Sequence, residues 1–260
     1  MAILESRTKT GFSWVKESID LFKTAPSKWL LLGLAYVALF MMIPSIPGLQ
    51  LFAFISVLIW PVFLVIAILL YRNTDIKKTQ NLSEIVENIK PKITALIALG
   101  AACLLYGVLV SFVLNSDIQG VATLKQASAT LTESQAMLLM QKMLPLLLKL
   151  VLLLIPLMMA TWFSPMLIAV NNYTVIKAIK SSIAGSLQYM IALAAAWLLL
   201  SAGVVTLMLA VGILAGVIAS MVPVLGQILM SLVVFGCLLL ATTLMLAFQY
   251  VSYRDVFRAA

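Results

Sequence analysis

The sequence predicts an all-α integral membrane fold: a bundle of six transmembrane helices with three cytoplasmic amphipathic helices at the membrane interface. Three observations predict it. Apolar residues make up 63% of the chain and charged residues only 10%, against roughly 45–50% and about 25% in soluble domains. The mean hydropathy is +1.14. Six apolar stretches, near 29–46, 51–71, 93–114, 150–170, 189–217 and 225–250, are separated by connectors bearing Lys and Arg. About 20 apolar residues cross a hydrocarbon core about 30 Å thick. Six spans thus take about 120 residues, and the longest polar connector, Asn115 to Met143, is too short to fold alone. Residues 1–260 read as a single polytopic domain.

Residues 11–23 (GFSWVKESIDLFK) set Phe12, Val15, Ile19 and Phe22 on one helical face and Lys16, Glu17, Asp20 and Lys23 on the other. No short apolar core with a small-x-small site stands near the start, so the first span is expected to remain as an anchor. That span begins at Trp29, after Lys28, and ends in the turn Pro44-Ser45-Ile46-Pro47-Gly48. The second ends at Tyr71-Arg72, an aromatic and basic boundary of the kind found at membrane interfaces. Residues 81–90 (NLSEIVENIK) again separate an apolar face, Leu82, Ile85, Val86 and Ile89, from a polar one.

Beyond span three, Asn115–Met143 is rich in Ala, Ser, Thr and Gln; a surface helix leading into span four is expected from Thr132-Glu133 through Met137, Met140 and Leu144 to Pro145. Residues 174–187 (TVIKAIKSSIAGSL) form the third amphipathic segment, with Val175, Ile176, Ile179, Ile183 and Leu187 opposite Lys177, Lys180 and Ser181. Span five is about 43 Å long at 1.5 Å per residue, so it tilts or protrudes. One amphipathic helix followed by two spans, three times over, suggests a weak threefold repeat resting on order and patterning.

Prolines mark two spans: Pro61 in the second, Pro156 and Pro165 in the fourth. Each removes a backbone donor and is expected to kink its helix. Gly203, Gly212 and Gly216 lie in span five, and the Gly212/Gly216 spacing is one that permits close helix packing, within this chain rather than between copies.

Charge sets the orientation. Five Lys and Arg precede span one, five lie between spans two and three (Arg72, Lys77, Lys78, Lys90, Lys92), two follow span four and two follow span six. Lys125, Lys142 and Lys149 fall on the other side or at its boundary, so fourteen stand against three. The positive side is the cytoplasmic one, which places both termini in the cytoplasm. Lys16, Lys23, Lys28, Lys77, Lys78, Lys90, Lys92, Lys177, Lys180 and Arg254 are expected to meet anionic head groups. Lys149 is the one charge candidate within an apolar run; no acid falls inside the six stretches to pair with it, and it is expected to snorkel to the outer interface.

Catalytic chemistry finds little support. The chain has no His, its Cys103 and Cys237 both lie in apolar runs, and neither Gly-x-Ser-x-Gly nor a phosphate-cradling P-loop occurs. The +8 net charge flanks spans, which favours lipid head groups over nucleic acid.

Thr161-Trp162-Phe163-Ser164-Pro165, Ala178-Ile179-Lys180-Ser181-Ser182, Tyr253-Arg254-Asp255-Val256-Phe257 and the opening Gly11-Phe12-Ser13-Trp14 with Phe22 and Trp29 together resemble an uncharacterised family of bacterial six-span inner-membrane proteins. The layout is similar to the membrane domain attached to some bacterial glycerophosphodiester phosphodiesterases, whose catalytic domain this chain lacks. The resemblance implies a multi-pass location in the bacterial inner membrane and paired spans with surface helices, but no substrate. The expected role is non-enzymatic and without cofactor: binding lipid or an envelope protein partner. The alternative is a transporter or flippase-like carrier of an apolar or amphipathic small molecule.

Overall fold

The structure, a computed structural model, describes residues 2–49, 51–79, 81–126 and 133–257, and among them all the regular secondary structure is helical. Among the described residues, six helices are long and apolar enough to cross a membrane, as a multi-pass membrane protein requires.

The chain opens with α1 (Ala2–Thr24), then α2 (Pro26–Val37), whose Pro26 suits a first turn where no donor is needed. Pro44 has no N–H to give to the preceding turn, and the helix widens over Ala38–Met42 into a π-helical turn before α3 (Ile43–Ser45). The Leu39 carbonyl within that turn accepts the Ser56 hydroxyl at 3.0 Å. Helix α4 (Leu51–Asp75) carries Pro61 in its interior. Pro61 leaves the Val57 carbonyl without its helical donor, and α6 (Ile93–Gln126) approaches at that point through Gly100. A Cβ there would lie 2.6 Å from the Leu58 oxygen and 2.8 Å from that of Val57. The short α5 (Leu82–Ile89) lies between α4 and α6 and buries Ile85 and Ile89.

The helix expected to lead from Thr132-Glu133 into span four is present from Glu133 onward, and it is continuous with that span. Helix α6 continues to Gln126, and α7 (Glu133–Thr161) runs unbroken from the connector into span four, with Pro145 and Pro156 inside it. Helix α7 begins at Glu133; Thr132 lies outside the described residues. Because α6 extends past residue 114, Asp117 stands on its outer turns and meets Lys149 at 2.9 Å. Lys149 therefore has an acidic partner.

Pro165 does not bend a continuous helix. The chain leaves helical geometry at Trp162-Phe163, and Pro165 sits in the first turn of a new short helix, α8 (Ser164–Ala169). Side chains repair the break. The Ser182 hydroxyl donates to the Met159 carbonyl at 2.7 Å and accepts the Phe163 N–H at 3.0 Å. Gln249 donates to the Trp162 carbonyl at 2.6 Å. An open backbone turn at membrane depth survives when protein groups satisfy it in this way.

Helix α9 (Val175–Gln188) is capped by Thr174, whose hydroxyl accepts the Lys177 N–H. It packs on α7 and α8 and buries Ala178, Ser182, Gly185 and Ser186, Gly185 lying against Val256 and Phe257, while Ile176 and Leu187 face outward. Helices α10 (Met190–Met221) and α11 (Pro223–Phe257) form a long antiparallel pair, and α1 lies against both. The face α1 buries is Gly11, Trp14, Ser18 and Leu21, with Phe12 64% exposed, so its inward stripe is rotated from the one its aliphatic spacing marks. At Gly11 a Cβ would lie 2.6 Å from the Ala192 carbonyl oxygen.

The core sits at the lysine-rich end. Trp29 stacks on Tyr71 with ring centroids 3.9 Å apart; its indole N–H donates to Leu21 O, and the Tyr71 hydroxyl donates to Thr243 O. Phe163 packs edge-on against Phe257 at 5.2 Å. Toward the opposite end the spans expose their apolar side chains, as in Phe112, Leu144 and Met221, which suits hydrocarbon as solvent.

Gly203, Gly212 and Gly216 do not serve close packing. A Cβ at each would meet nothing within 4 Å, because that face of α10 points away from the bundle. Gly11, Gly33 and Gly100 mark the close contacts instead.

Candidate functional site

An apolar cleft lies between the spans, in two adjacent lobes of about 590 Å³ and 830 Å³. Trp60, Leu157 and Thr161 border both lobes. Each volume falls in the range of small-molecule sites. The smaller lobe lies between α4, α6 and α7, near the π-helical turn at Phe40 and Pro44. The larger faces α10 and α11 through Leu200, Val204, Leu238 and Met245. Its mouth is edged by exposed residues, Trp197 at 43% and Val205 at 54%, so it opens sideways from the bundle.

The cleft exists because the break after Thr161 redirects the chain. Helix α7 is not drawn against α10 and α11, while α8 and α9 close the lysine-rich end beneath it. Pro61 and Pro156 adjoin the lining residues Trp60 and Leu157, which places two of the three expected kink positions beside the cleft.

Its polar groups are few, and several are engaged within the protein. Trp60 Nε1 donates to the Tyr36 hydroxyl at 3.3 Å, Thr161 Oγ1 to Leu157 O at 2.8 Å and Thr242 Oγ1 to Leu238 O at 2.8 Å. Gln249 is committed to Trp162 O. Such walls receive hydrocarbon well, and neither lobe is lined by Lys, Arg, Asp or Glu. Among the described residues, no group of three His, Cys, Asp or Glu is arranged to hold a metal ion.

Below the cleft, at the lysine-rich end, a charged clasp joins the chain's two ends to span two. The Arg254 guanidinium meets Glu17 Oε2 at 2.5 Å, Asp75 Oδ2 at 3.0 Å and Asp255 Oδ1 at 3.0 Å. The Tyr250 hydroxyl donates to Asp75 at 2.7 Å, and the Trp14 indole N–H to Asp255 at 2.8 Å. Tyr253 donates to Asn171 Oδ1 at 2.5 Å. Arg254 is therefore not a lipid-facing cation: its charge is spent on three carboxylates, and only 23% of its side chain is exposed. No local signal near Arg254 reveals this, since Glu17 and Asp75 lie far away in sequence.

The expected head-group lysines do gather at this end of the bundle. Lys16 and Lys180 are exposed, Lys23 lies 3.7 Å from Asp20, and Lys90 lies 3.4 Å from Glu87. Lys177 stands over the Tyr173 ring at 4.0 Å and Lys28 over Trp29 at 4.8 Å. Lys92 is half-buried at the base of α6. Lys77, in a left-handed conformation with φ 53°, and Lys78 form the turn after α4.

Searches of protein-family models, of curated proteins and of solved structures find nothing that matches this chain. What the cleft and the lysine rim do must be decided by their geometry and chemistry.

Proposed function

We propose that this protein is a non-enzymatic component of the bacterial inner membrane with an accessory role, binding lipid, in the cleft between its spans, or an envelope partner. The single observation that carries the reading is the sideways-opening apolar cleft around Trp60, Leu157 and Thr161. Its lining suits acyl chains, and its mouth lies among side chains that themselves prefer hydrocarbon. The lysine-rich end is assigned to the cytoplasm, with both termini there, because fourteen cationic residues against three follow the positive-inside rule. Helices α1, α5 and α9 then lie at the cytoplasmic interface, each followed by two spans, in keeping with a threefold repeat. The likeness in layout to the membrane domains of glycerophosphodiester phosphodiesterases belongs to the same proposal.

The test is gentle extraction of the full chain followed by native mass spectrometry. Wild-type protein is expected to retain lipid, and Ala241→Phe, which fills the larger lobe, to lose most of it. Wild-type protein carrying neither lipid nor a protein partner above detergent controls would remove the basis of the reading.

A second reading is favoured by the broken helix at Trp162-Phe163 beside the cleft. Interrupted spans line the sites of many carriers, so a flippase-like carrier of an amphipathic molecule is the alternative. Reconstituted vesicles would decide it: transbilayer movement of a labelled lipid above protein-free vesicles supports the carrier.

A further inference from the structure

We propose that Lys28, Lys77 and Lys78 form a binding site for a phosphate group, presented at the lysine-rich end where span one begins and span two ends. The site is a pocket of about 430 Å³ bordered by these lysines and by Leu70, Asn73 and Thr74. Three lysines lining one small pocket, with no carboxylate in its lining, is an arrangement that stands out at this end of the molecule. Lys23 and Lys90 each have an acid within 4 Å, and Arg254 has three. Lys28, Lys77 and Lys78 form no ion pair among the described residues. Asp75, the nearest acid in sequence, is turned away and committed to Arg254 and Tyr250.

The fold brings them together on purpose-shaped backbone rather than on a free chain. The Lys77 N–H donates to Thr74 O at 3.2 Å and the Lys78 N–H to Asn73 O at 2.7 Å, so the last carbonyls of α4 hold the turn. The left-handed Lys77 makes that reversal. Lys28 enters from the first turn of α2, its neighbour Trp29 locked by the stack on Tyr71 of α4. Three lysines without a carboxylate partner, in a pocket of this size, select a compact anion of high charge density, and phosphate fits that chemistry.

Two sources carry the group: the head of an anionic lipid, or a soluble phosphate compound. Leu31, one turn above Lys28 and 66% exposed, offers an acyl chain a path directly beyond the pocket. The inference deepens the proposed lipid binding at a second place, yet stands apart from the cleft.

The experiment measures binding of phosphatidate-bearing nanodiscs, phosphatidylcholine nanodiscs and inorganic phosphate to the full chain in detergent. It compares wild type, K28Q/K77Q/K78Q and a control that removes equal charge from the same end, K90Q/K177Q/K180Q. The pocket variant is expected to bind phosphatidate on the order of 100-fold more weakly, from about one kcal/mol per lysine near a membrane, and the control within about threefold of wild type. Binding of inorganic phosphate with the same variant dependence supports a soluble source; binding of phosphatidate alone supports the lipid head group. Equal losses in both variants, or no phosphate-bearing probe bound by wild type, would overturn the site. The cleft variant Ala241→Phe keeps the pocket, so loss of acyl retention there with phosphate binding intact separates the failure of one proposal from that of the other.

Discussion

The indole N–H of Trp14 donates to Asp255 Oδ2 at 2.8 Å, and Asp255 in turn holds Arg254, so the first helix is tied to the last across 241 residues of chain. Bundle closure at the lysine-rich end depends on this clasp, because the opposite halves of the spans expose most of their surface.

Arg254 is the hub of the clasp, and its removal should hurt more than that of any one acid. Arg254→Gln leaves Glu17, Asp75 and Asp255 gathered without their shared counter-charge. Breaking a buried ion pair costs about 3–5 kcal/mol; with partial exposure here, about 2 kcal/mol is expected. Glu17→Gln should cost about 1 kcal/mol or less. Thermal unfolding in detergent reads both, and the double variant should be less destabilised than the sum. Strict additivity would contradict the clasp.

Gly100 and Gly212 separate two kinds of glycine. Ala at 100 drives a methyl into the Leu58 and Val57 carbonyls, an overpacking expected to cost about 1–3 kcal/mol. Ala at 212 meets open space and should be neutral or stabilise slightly through helix propensity, by up to about 1 kcal/mol. A thermal shift of the same sign and size for both would refute the assigned contacts.

Ser182 repairs the break between α7 and α8 from both sides. Ser182→Ala strips a partner from the Phe163 N–H and the Met159 carbonyl, a loss of about 1–3 kcal/mol. Hydrogen exchange at the Phe163 amide should accelerate more than at amides in the middle of α6. Unchanged protection there would show that the hydroxyl is not its acceptor.

Asp117 and Lys149 form an ion pair with side chains 31% and 54% exposed. Neutralising both together should alter thermal stability by less than about 1 kcal/mol, as for exposed pairs in general. A larger effect in the doubly neutral variant, with no change in helix content, would give this pair a weight the geometry does not.

The spans were legible because hydropathy is additive along the chain: no tertiary contact is needed to see that residues 51–71 belong in hydrocarbon. The inward faces were not. Spacing favours Phe12 on α1, yet Trp14 is buried, since its ring packs near Tyr189 and Phe248 and its N–H finds Asp255. Helix α9 likewise turns Ser182, Gly185 and Ser186 inward, because small residues allow close approach and hydroxyls repair a distant break. The Gly212/Gly216 spacing names a compatible geometry but not a neighbour, and the neighbour is absent. Pro165 shows the same limit: a proline marks where a helix loses a donor, and only the partners from α9 and α11 turn that loss into a full break. For the cleft, Pro61 and Pro156 were the usable signal; the facing wall from α10 and α11 had none.

Side-specific thiol labelling checks the proposed six-span topology with the lysine-rich end inside the cell. In a C103A/C237A background, Ser6→Cys and Ser83→Cys should react with an impermeant maleimide only in inside-out vesicles, and Ser116→Cys only in intact spheroplasts. Reaction of Ser6→Cys or Ser83→Cys from the outside, or of all three from one side, would contradict it.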